Sequence, residues 1–236
     1  MFIGHYSVSL ALKKADTSIA MWKLFLAVQF VDILWSLFIF LGIEKAEIDL
    51  HTANPLNLYY MPFTHSILGA LFWSTLVFVL TLVFSSVKDT KKRKKAAILA
   101  IAVFSHWILD AIVHIHDLPL WANSHKIGFG LYHSSLGTFL TETILLIVGA
   151  FIYYKVVQKN QKSKKSFLFF IVFLIVLCWN SIWGTKPPTT NLTAGALLFF
   201  YFLNALIIYI IEKKFLWEPV NRAGKSSLGV NRKTQR

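Results

Sequence analysis

The sequence predicts an all-α fold: a polytopic membrane bundle of about six transmembrane helices, with a short additional helix at its N-terminal end. Hydrophobic residues make up 56% of the 236 positions and charged residues only 15%, and a water-soluble domain of this size could not bury so much apolar surface. Six mostly apolar runs approach or exceed the roughly 20 residues that a helix needs to cross the hydrocarbon layer. Basic residues, moreover, concentrate in alternate loops.

The six apolar runs divide the chain into predicted spans joined by short loops. The spans are residues 22–43, 62–87, 96–116, 134–157, 167–184 and 193–212. No internal repeat and no Gly/Ser-rich linker separates them, so we expect one integral-membrane domain over residues 1–216. The remaining residues, 217–236, form a basic tail whose composition predicts disorder.

The distribution of lysine and arginine predicts the orientation of the bundle. Basic residues cluster in Lys13-Lys14, in 88–95, in 155–165 and in the C-terminal tail, whereas the loops between these positions carry few. Because basic loops stay on the cytoplasmic side, both termini are predicted to be cytoplasmic. The net charge of +13 therefore indicates contact with anionic lipid headgroups rather than with nucleic acid. The single cysteine, Cys178, excludes an internal disulfide.

The N-terminal segment FIGHYSVSLAL is apolar but too short to cross a membrane. As a helix rising from Lys13 it would extend about 16 Å, roughly to the middle of the bilayer. Two placements are compatible with this length: a half-helix buried among the spans, or an amphipathic helix on the cytoplasmic surface. Only the buried half-helix would bring His5 to the other polar residues.

Ionisable residues recur on one face of the third span, in SHWILDAIVHIHDLPLW. His106, Asp110 and His114 follow one another at intervals of four residues, which places them along one side of a helix. Counted from Lys95, His106 lies about 16 Å and Asp110 about 22 Å into the span. Each lone ionisable group at such a depth costs a few kcal/mol, roughly, unless it has a partner.

Other spans place polar residues at a similar depth. Asp32 lies in the first span, His65 opens the second and Glu142 lies in the fourth, so these side chains are predicted to meet in the outer half of the bilayer, below the loop 117–133. Four further histidines fall in loops or off the polar face and are not expected to take part: His51, His116, His125 and His133.

A mixed set of carboxylates and imidazoles is typical of sites for zinc, with manganese and iron as alternatives. A bound divalent cation would offset the cost of burying these groups. Two other arrangements are compatible with the same residues. The side chains could form a hydrogen-bonded polar plug between helices, or they could relay protons or a transported cation.

Several short motifs together resemble a known family. FIGH, FVDILW, PFTHS and SHWILDAIVHIHDLPLW occur in this order, and KIGFGLYHSSLGTFLTE continues the similarity, which covers about the first 145 residues. They resemble the YdjM-like family of LexA-binding bacterial inner-membrane proteins, which are described as metal-dependent hydrolases. The resemblance implies a multi-pass protein of the bacterial inner membrane. It also implies a set of metal ligands: His5, Asp32, His65, His106 and Asp110, with Glu142 as an addition.

One departure from the family pattern affects the ligand set. Many relatives have a D-x-D-H sequence where this chain has Asp32, Ile33, Leu34 and Trp35, so one acid and one imidazole are missing here. A looser similarity of the His-x-x-x-Asp helix to zinc-dependent phospholipase C suggests a phosphoester substrate by analogy.

The sequence thus favours a membrane-embedded, metal-dependent hydrolase. Its expected substrate is a lipid or lipid-linked ester or phosphoester that enters from the outer half of the bilayer. Asp110 or Glu142 would act as the general base in the catalytic site. A proton- or cation-coupled transporter is the first alternative, and a non-enzymatic membrane protein that binds a protein partner is the second.

Overall fold

A computed structural model describes residues 1–86, 89–156 and 161–216 of the chain. Within these ranges the fold is mostly helical, as the sequence predicts. The helices are α1 Tyr6–Leu12, α2 Met21–Val28, α3 Phe30–Phe40, α4 Ile67–Phe84, α5 Lys92–Val113, α6 Ser135–Val156, α7 Gln161–Trp183 and α8 Thr190–Leu216. The predicted tail, 217–236, lies outside the described residues.

Five of these helices are long and apolar enough to cross a membrane: α4, α5, α6, α7 and α8. Helices α2 and α3 meet the same criterion together, although they are bent by 53° relative to each other. The prediction of a polytopic helical bundle with about six spans is therefore confirmed. The cytoplasmic location of the two termini stays a prediction.

The bend between α2 and α3 lies at Gln29, within the run predicted as one continuous span. The Gln29 side chain donates a hydrogen bond to the Phe2 carbonyl at 3.0 Å, and the Val28 carbonyl accepts one from His106 Nδ1 at 2.7 Å. Side chains that bond to the backbone in this way are a common cause of helix kinks. The bend places Asp32 in the first turn of α3.

Helix α1 is buried inside the bundle, which decides between the two placements of the N-terminal segment. It packs against α2, α5 and α6, and Tyr6 and Leu10 are fully buried. Gly149 in α6 allows this close approach, because a Cβ atom there would lie 2.5 Å from the Ser7 carbonyl oxygen. The half-helix is thus the arrangement that this chain adopts, and it carries His5 into the interior.

A buried ion pair joins the far end of this segment to two other helices. Lys13 Nζ lies 2.5 Å from Glu212 Oε1 of α8 and also donates to the Ile19 carbonyl. The second carboxylate oxygen, Oε2, accepts the backbone N–H of Met21 at 2.8 Å. The Lys13–Glu212 pair therefore holds α1, α2 and α8 together at the end where the sequence predicts the cytoplasm.

Two antiparallel hairpins lie at the opposite end of the bundle, where only loops were expected. Strand β1, Lys45–Ile48, pairs with β2, Leu56–Tyr60, and strand β3, Leu118–Trp121, pairs with β4, Ser124–Ile127. The hairpins contact each other, because the Asn123 and Lys126 side chains both donate to the Tyr59 carbonyl. They follow α3 and α5 directly and so lie over the polar residues of those helices.

Candidate metal centre

Four separate segments bring acids and imidazoles to one place in the interior. His5 precedes α1, Asp32 lies in the first turn of α3, His65 lies just before α4, and α5 contributes His106 and Asp110. Four of the five are at least 98% buried, and Asp32 is more open. We refer to these five residues as the His/Asp cluster.

The distances within the His/Asp cluster are those of direct neighbours. His106 Nε2 lies 3.0 Å from Asp110 Oδ2 and 3.4 Å from Asp32 Oδ1. His65 Nε2 lies 3.1 Å from Asp32 Oδ1 and 3.7 Å from Asp110 Oδ2, and His5 Nε2 lies 3.2 Å from Asp110 Oδ1. The structure thus brings together every metal ligand that the sequence suggested, while metal binding itself stays a prediction.

The ring orientation of His106 is set by the backbone of α2. Its Nδ1 atom lies 2.7 Å from the carbonyl oxygen of Val28, at the end of α2. A carbonyl can only accept, so Nδ1 carries the proton. In the neutral ring, Nε2 then has a free lone pair, and this atom faces Asp32 and Asp110.

His65 is oriented in the same way by a side-chain relay. Thr64 Oγ1 lies 2.6 Å from Glu44 Oε2, to which it donates, and 2.8 Å from His65 Nδ1, from which it accepts. Glu44 also accepts the backbone N–H groups of Phe63 and Thr64. The relay holds the ring so that Nε2 faces the carboxylates, within hydrogen-bond distance of Asp32 Oδ1.

His114 joins the cluster, although sequence reasoning did not include it among the ligands. Its Nδ1 atom donates to Asp117 Oδ1 at 2.9 Å, and its Nε2 atom lies 3.7 Å from Asp110 Oδ2. The i, i+4, i+8 spacing had already indicated that His114 shares the face of His106 and Asp110. The sequence feature that could have indicated a ligand role is Asp117, three residues after His114. At this spacing its carboxylate can accept a hydrogen bond from the ring nitrogen that does not face the metal.

The donor atoms have the spacing that a transition-metal ion requires. Ligands bound tetrahedrally at about 2.0–2.1 Å lie about 3.4 Å from one another. Within the described parts of the chain, two sets of three residues have ligand atoms that all lie within 4.8 Å of each other: His5, Asp32 and His106, and His65, His106 and Asp110. The residues present therefore fit a divalent cation.

The surroundings of His106 Nε2 bear on what occupies the space between the imidazoles and the carboxylates. This atom is fully buried and has two carboxylate oxygens nearby, yet among residues 1–86, 89–156 and 161–216 it has no partner with hydrogen-bond geometry. An orphaned buried nitrogen beside two acids favours a bound cation over a simple hydrogen-bonded plug.

Tyr201 of α8 contacts the cluster from a span in which the sequence indicated no site residue. Its hydroxyl donates to Asp32 Oδ2 at 2.6 Å, and the side chain is only 2% exposed. This contact leaves Asp32 Oδ1 for the two imidazoles. A tyrosine in an apolar span carries no positional signal in the sequence, so only the packing of α8 against α3 reveals this contact.

Glu142 contacts the N-terminal segment rather than the imidazoles. Its Oε2 atom accepts three backbone N–H groups, from Phe2 at 2.9 Å, Ile3 at 2.7 Å and Gly4 at 3.1 Å. The Met1 amino group, in turn, donates to Asp110 Oδ1 at 2.6 Å. Glu142 therefore holds the segment that carries His5 against the cluster.

A cavity of about 210 Å³ opens onto the cluster. Asp32, His65, Asp110, His114 and Glu142 line its polar end. Much of its remaining wall comes from the β1–β2 hairpin and from α7, α8 and their connection, and includes Leu56, Leu58, Leu177, Leu197, Phe200 and Lys186. The cavity is thus a largely apolar chamber with the candidate ligands on one wall.

Lys186 is the one lysine among the residues that line this cavity. It lies between α7 and α8, is half-buried and donates to the carbonyl oxygens of Ser181 and Ile182. Burial lowers the pKa of this ammonium group from its usual value.

The histidines that the sequence excluded lie away from the cluster. His51, His116, His125 and His133 are all exposed.

Comparison of the chain with family models, with characterised proteins and with solved structures found no match in any of the three.

Proposed function

We propose that this protein is a membrane-embedded, metal-dependent hydrolase that acts on a lipid or lipid-linked ester or phosphoester. The observation that carries the proposal is the shared orientation of three imidazoles. His65, His106 and His114 each engage an oxygen through Nδ1 and face the Asp110 carboxylate through Nε2. Imidazoles that ligate metal ions in proteins are held by outer partners in this manner.

The roles of the residues follow from their contacts. Asp32, Asp110 and the imidazoles would hold the cation, with zinc as the first expectation and manganese or iron as alternatives. The bound cation would polarise the scissile carbonyl or phosphoryl group and lower the pKa of the attacking water. Tyr201 orients Asp32. Glu142 positions the N-terminal segment and, as a carboxylate that lines the cavity, is our candidate for the general base alongside Asp110.

The cavity supports an amphipathic substrate. Leucine and phenylalanine side chains line the walls opposite the carboxylates, where an acyl or isoprenoid chain could lie. Lys186 supplies a positive charge to the same cavity, which suits an anionic group such as a phosphoester. The spans present many apolar side chains on their outer surfaces, so lipid surrounds the bundle and is the nearest source of such a substrate.

The first test is the metal content of the detergent-purified protein, measured by mass spectrometry beside His106→Ala and Asp110→Ala. We expect transition metal in the wild type and its loss in both variants, with helical content unchanged by circular dichroism. His116→Ala is the matched control, because His116 is exposed and lies close in sequence. Metal-loaded protein should then cleave at least one member of a panel of lipid esters and phosphoesters, and Asp110→Ala should not.

Two results would contradict the proposal. One is wild-type protein without metal after purification in metal-supplemented buffer. The other is metal-loaded protein that cleaves no member of the panel. Proton flux into sealed vesicles that disappears in Asp110→Asn would instead support the transporter alternative.

A further inference from the structure

The cluster offers more donor atoms than one zinc ion can use. Its imidazole donors belong to four histidines: His5, His65, His106 and His114. To these are added Asp32 Oδ1 and Asp110 Oδ2, whereas Asp110 Oδ1 already accepts a hydrogen bond from the Met1 amino group. A zinc ion in a protein takes four ligands, and six-coordinate metals often keep water in some positions. A single ion would leave buried donors without a partner, which is unfavourable.

The two oxygens of Asp110 face different neighbours. Oδ1 lies 3.2 Å from His5 Nε2, whereas Oδ2 lies 3.0 Å from His106 Nε2 and 3.7 Å from the Nε2 atoms of His65 and His114. Oδ1 also accepts a hydrogen bond from the Met1 amino group at 2.6 Å, so Oδ2 is the oxygen that Asp110 offers to a cation beside His65 and His114.

The imidazoles also lie in two layers relative to the cavity. His65 and His114 line the cavity, together with Asp32 and Asp110. His5 and His106 are fully buried behind them and stack on each other, with 3.8 Å between the ring centres. One pair of imidazoles is therefore closed off by protein, and the other pair opens towards the space that a substrate would occupy.

From these observations we infer that the centre binds two divalent cations. An inner ion would be held by His5, Asp32 and His106, and an outer ion, open to the cavity, by His65, His114 and Asp110. This inference rests on the proposed function and deepens it. Two divalent ions carry more positive charge than Asp32, Asp110 and Glu142 offset, so the surplus charge favours an anionic phosphoester over a neutral ester.

The number of bound ions tests this inference without an activity assay. Metal-stripped protein is titrated with Mn²⁺, the bound equivalents per chain are counted, and the electron paramagnetic resonance spectrum is recorded at saturation. We expect two equivalents per chain and a spectrum with exchange coupling between neighbouring ions. His114→Ala should retain one equivalent and lose the coupling, and His5→Ala should do the same. Exposed His116 again provides the control, and the His116→Ala variant should bind two equivalents of Mn²⁺ per chain.

The outcomes separate this inference from the proposed function. If wild-type protein binds one equivalent of Mn²⁺ per chain at saturation, without exchange coupling, the inference of a second ion is wrong. The proposed hydrolase would then have a mononuclear centre. No bound metal would overturn both. Two equivalents retained in His114→Ala would overturn the outer site. Because the coupling is recorded on wild-type protein, the result does not depend on the folding of any variant.

Discussion

Two largely buried groups of charged residues lie at opposite ends of helices α1 and α2, and they differ in how their charges are balanced. In the Lys13–Glu212 pair, the ammonium group meets one carboxylate oxygen and a backbone carbonyl, and the other carboxylate oxygen meets a backbone N–H. In the His/Asp cluster, several imidazole Nε2 atoms share two carboxylates with one ammonium group, that of Met1, and His106 Nε2 has no hydrogen-bond partner among the described residues.

This difference separates a structural contact from a binding site. In the Lys13–Glu212 pair, both charged groups have hydrogen-bond partners within the protein, so the pair requires no bound ligand. It stabilises the contact between the helices that it joins. In the proposed function, a bound cation would compensate for the excess of acceptors in the His/Asp cluster. Removal of an acidic side chain should therefore lower metal content but not stability in the His/Asp cluster. At the Lys13–Glu212 pair it should lower stability but not metal content.

The largest effect is expected for Asp32→Asn, because Asp32, unlike Asp110, is not the counter-ion of the buried Met1 amino group. We expect metal content to fall to background, because loss of a direct ligand costs more affinity than the roughly 10- to 100-fold that loss of an outer partner costs. Metal-free protein should become no less stable, since the substitution removes one of two adjacent negative charges. Thermal unfolding in chelator, monitored by circular dichroism, compares the variant with the wild type. A clearly lower unfolding temperature in chelator would contradict this view of the cluster.

Glu212→Gln should have the opposite result. It leaves the Lys13 ammonium buried without a counter-ion, which destabilises a protein by about 3–5 kcal/mol when the pair is well buried. Metal content should stay at the wild-type value. The double variant Lys13→Met, Glu212→Gln is the control and should recover part of the lost stability. Loss of metal from folded Glu212→Gln protein would show that the two ends are not independent.

A smaller effect is expected for Asp117→Asn, which weakens the outer partner of His114. Metal affinity should fall by about 10- to 100-fold, as it does when such partners are removed from other metal sites. Competition with a chromogenic chelator measures the change. Glu47→Gln, on the exposed face of strand β1, is the charge-matched control and should leave the affinity unchanged.

The smallest effect is expected for Tyr201→Phe. The substitution removes the hydrogen bond to Asp32 Oδ2 but no direct ligand, so we expect at most about a tenfold loss of metal affinity. The visible spectrum of the Co²⁺-substituted protein should shift, because Asp32 is then free to change its binding mode. Tyr209→Phe, on an exposed position of the same helix, should alter neither quantity.

Most of the His/Asp cluster could be predicted from the sequence, for a definite physical reason. Ionisable residues are costly in apolar helices, so Asp32, His106 and Asp110 stood out against their surroundings. Their helical spacing then placed His106 and Asp110 on one face. His65 and His5 were found because both belong to short motifs at the ends of apolar segments.

The supporting residues could not be found in the same way. Glu44, Thr64 and Asp117 lie at loop edges, where polar residues are common, and Tyr201 lies in a span, where aromatic residues are common. Neither setting makes a residue unusual. Their roles become visible only when distant parts of the chain are brought within hydrogen-bond distance.

The sequence by itself determined the class of the fold, the six apolar segments and the presence of buried acids and imidazoles, because hydropathy and helical periodicity are local properties of a chain. Only the tertiary structure decided that α1 enters the bundle, that the first span bends at Gln29 and that each imidazole presents Nε2 to the carboxylates. These features depend on contacts between residues that are far apart in sequence. Such contacts arise from packing, which no local pattern encodes.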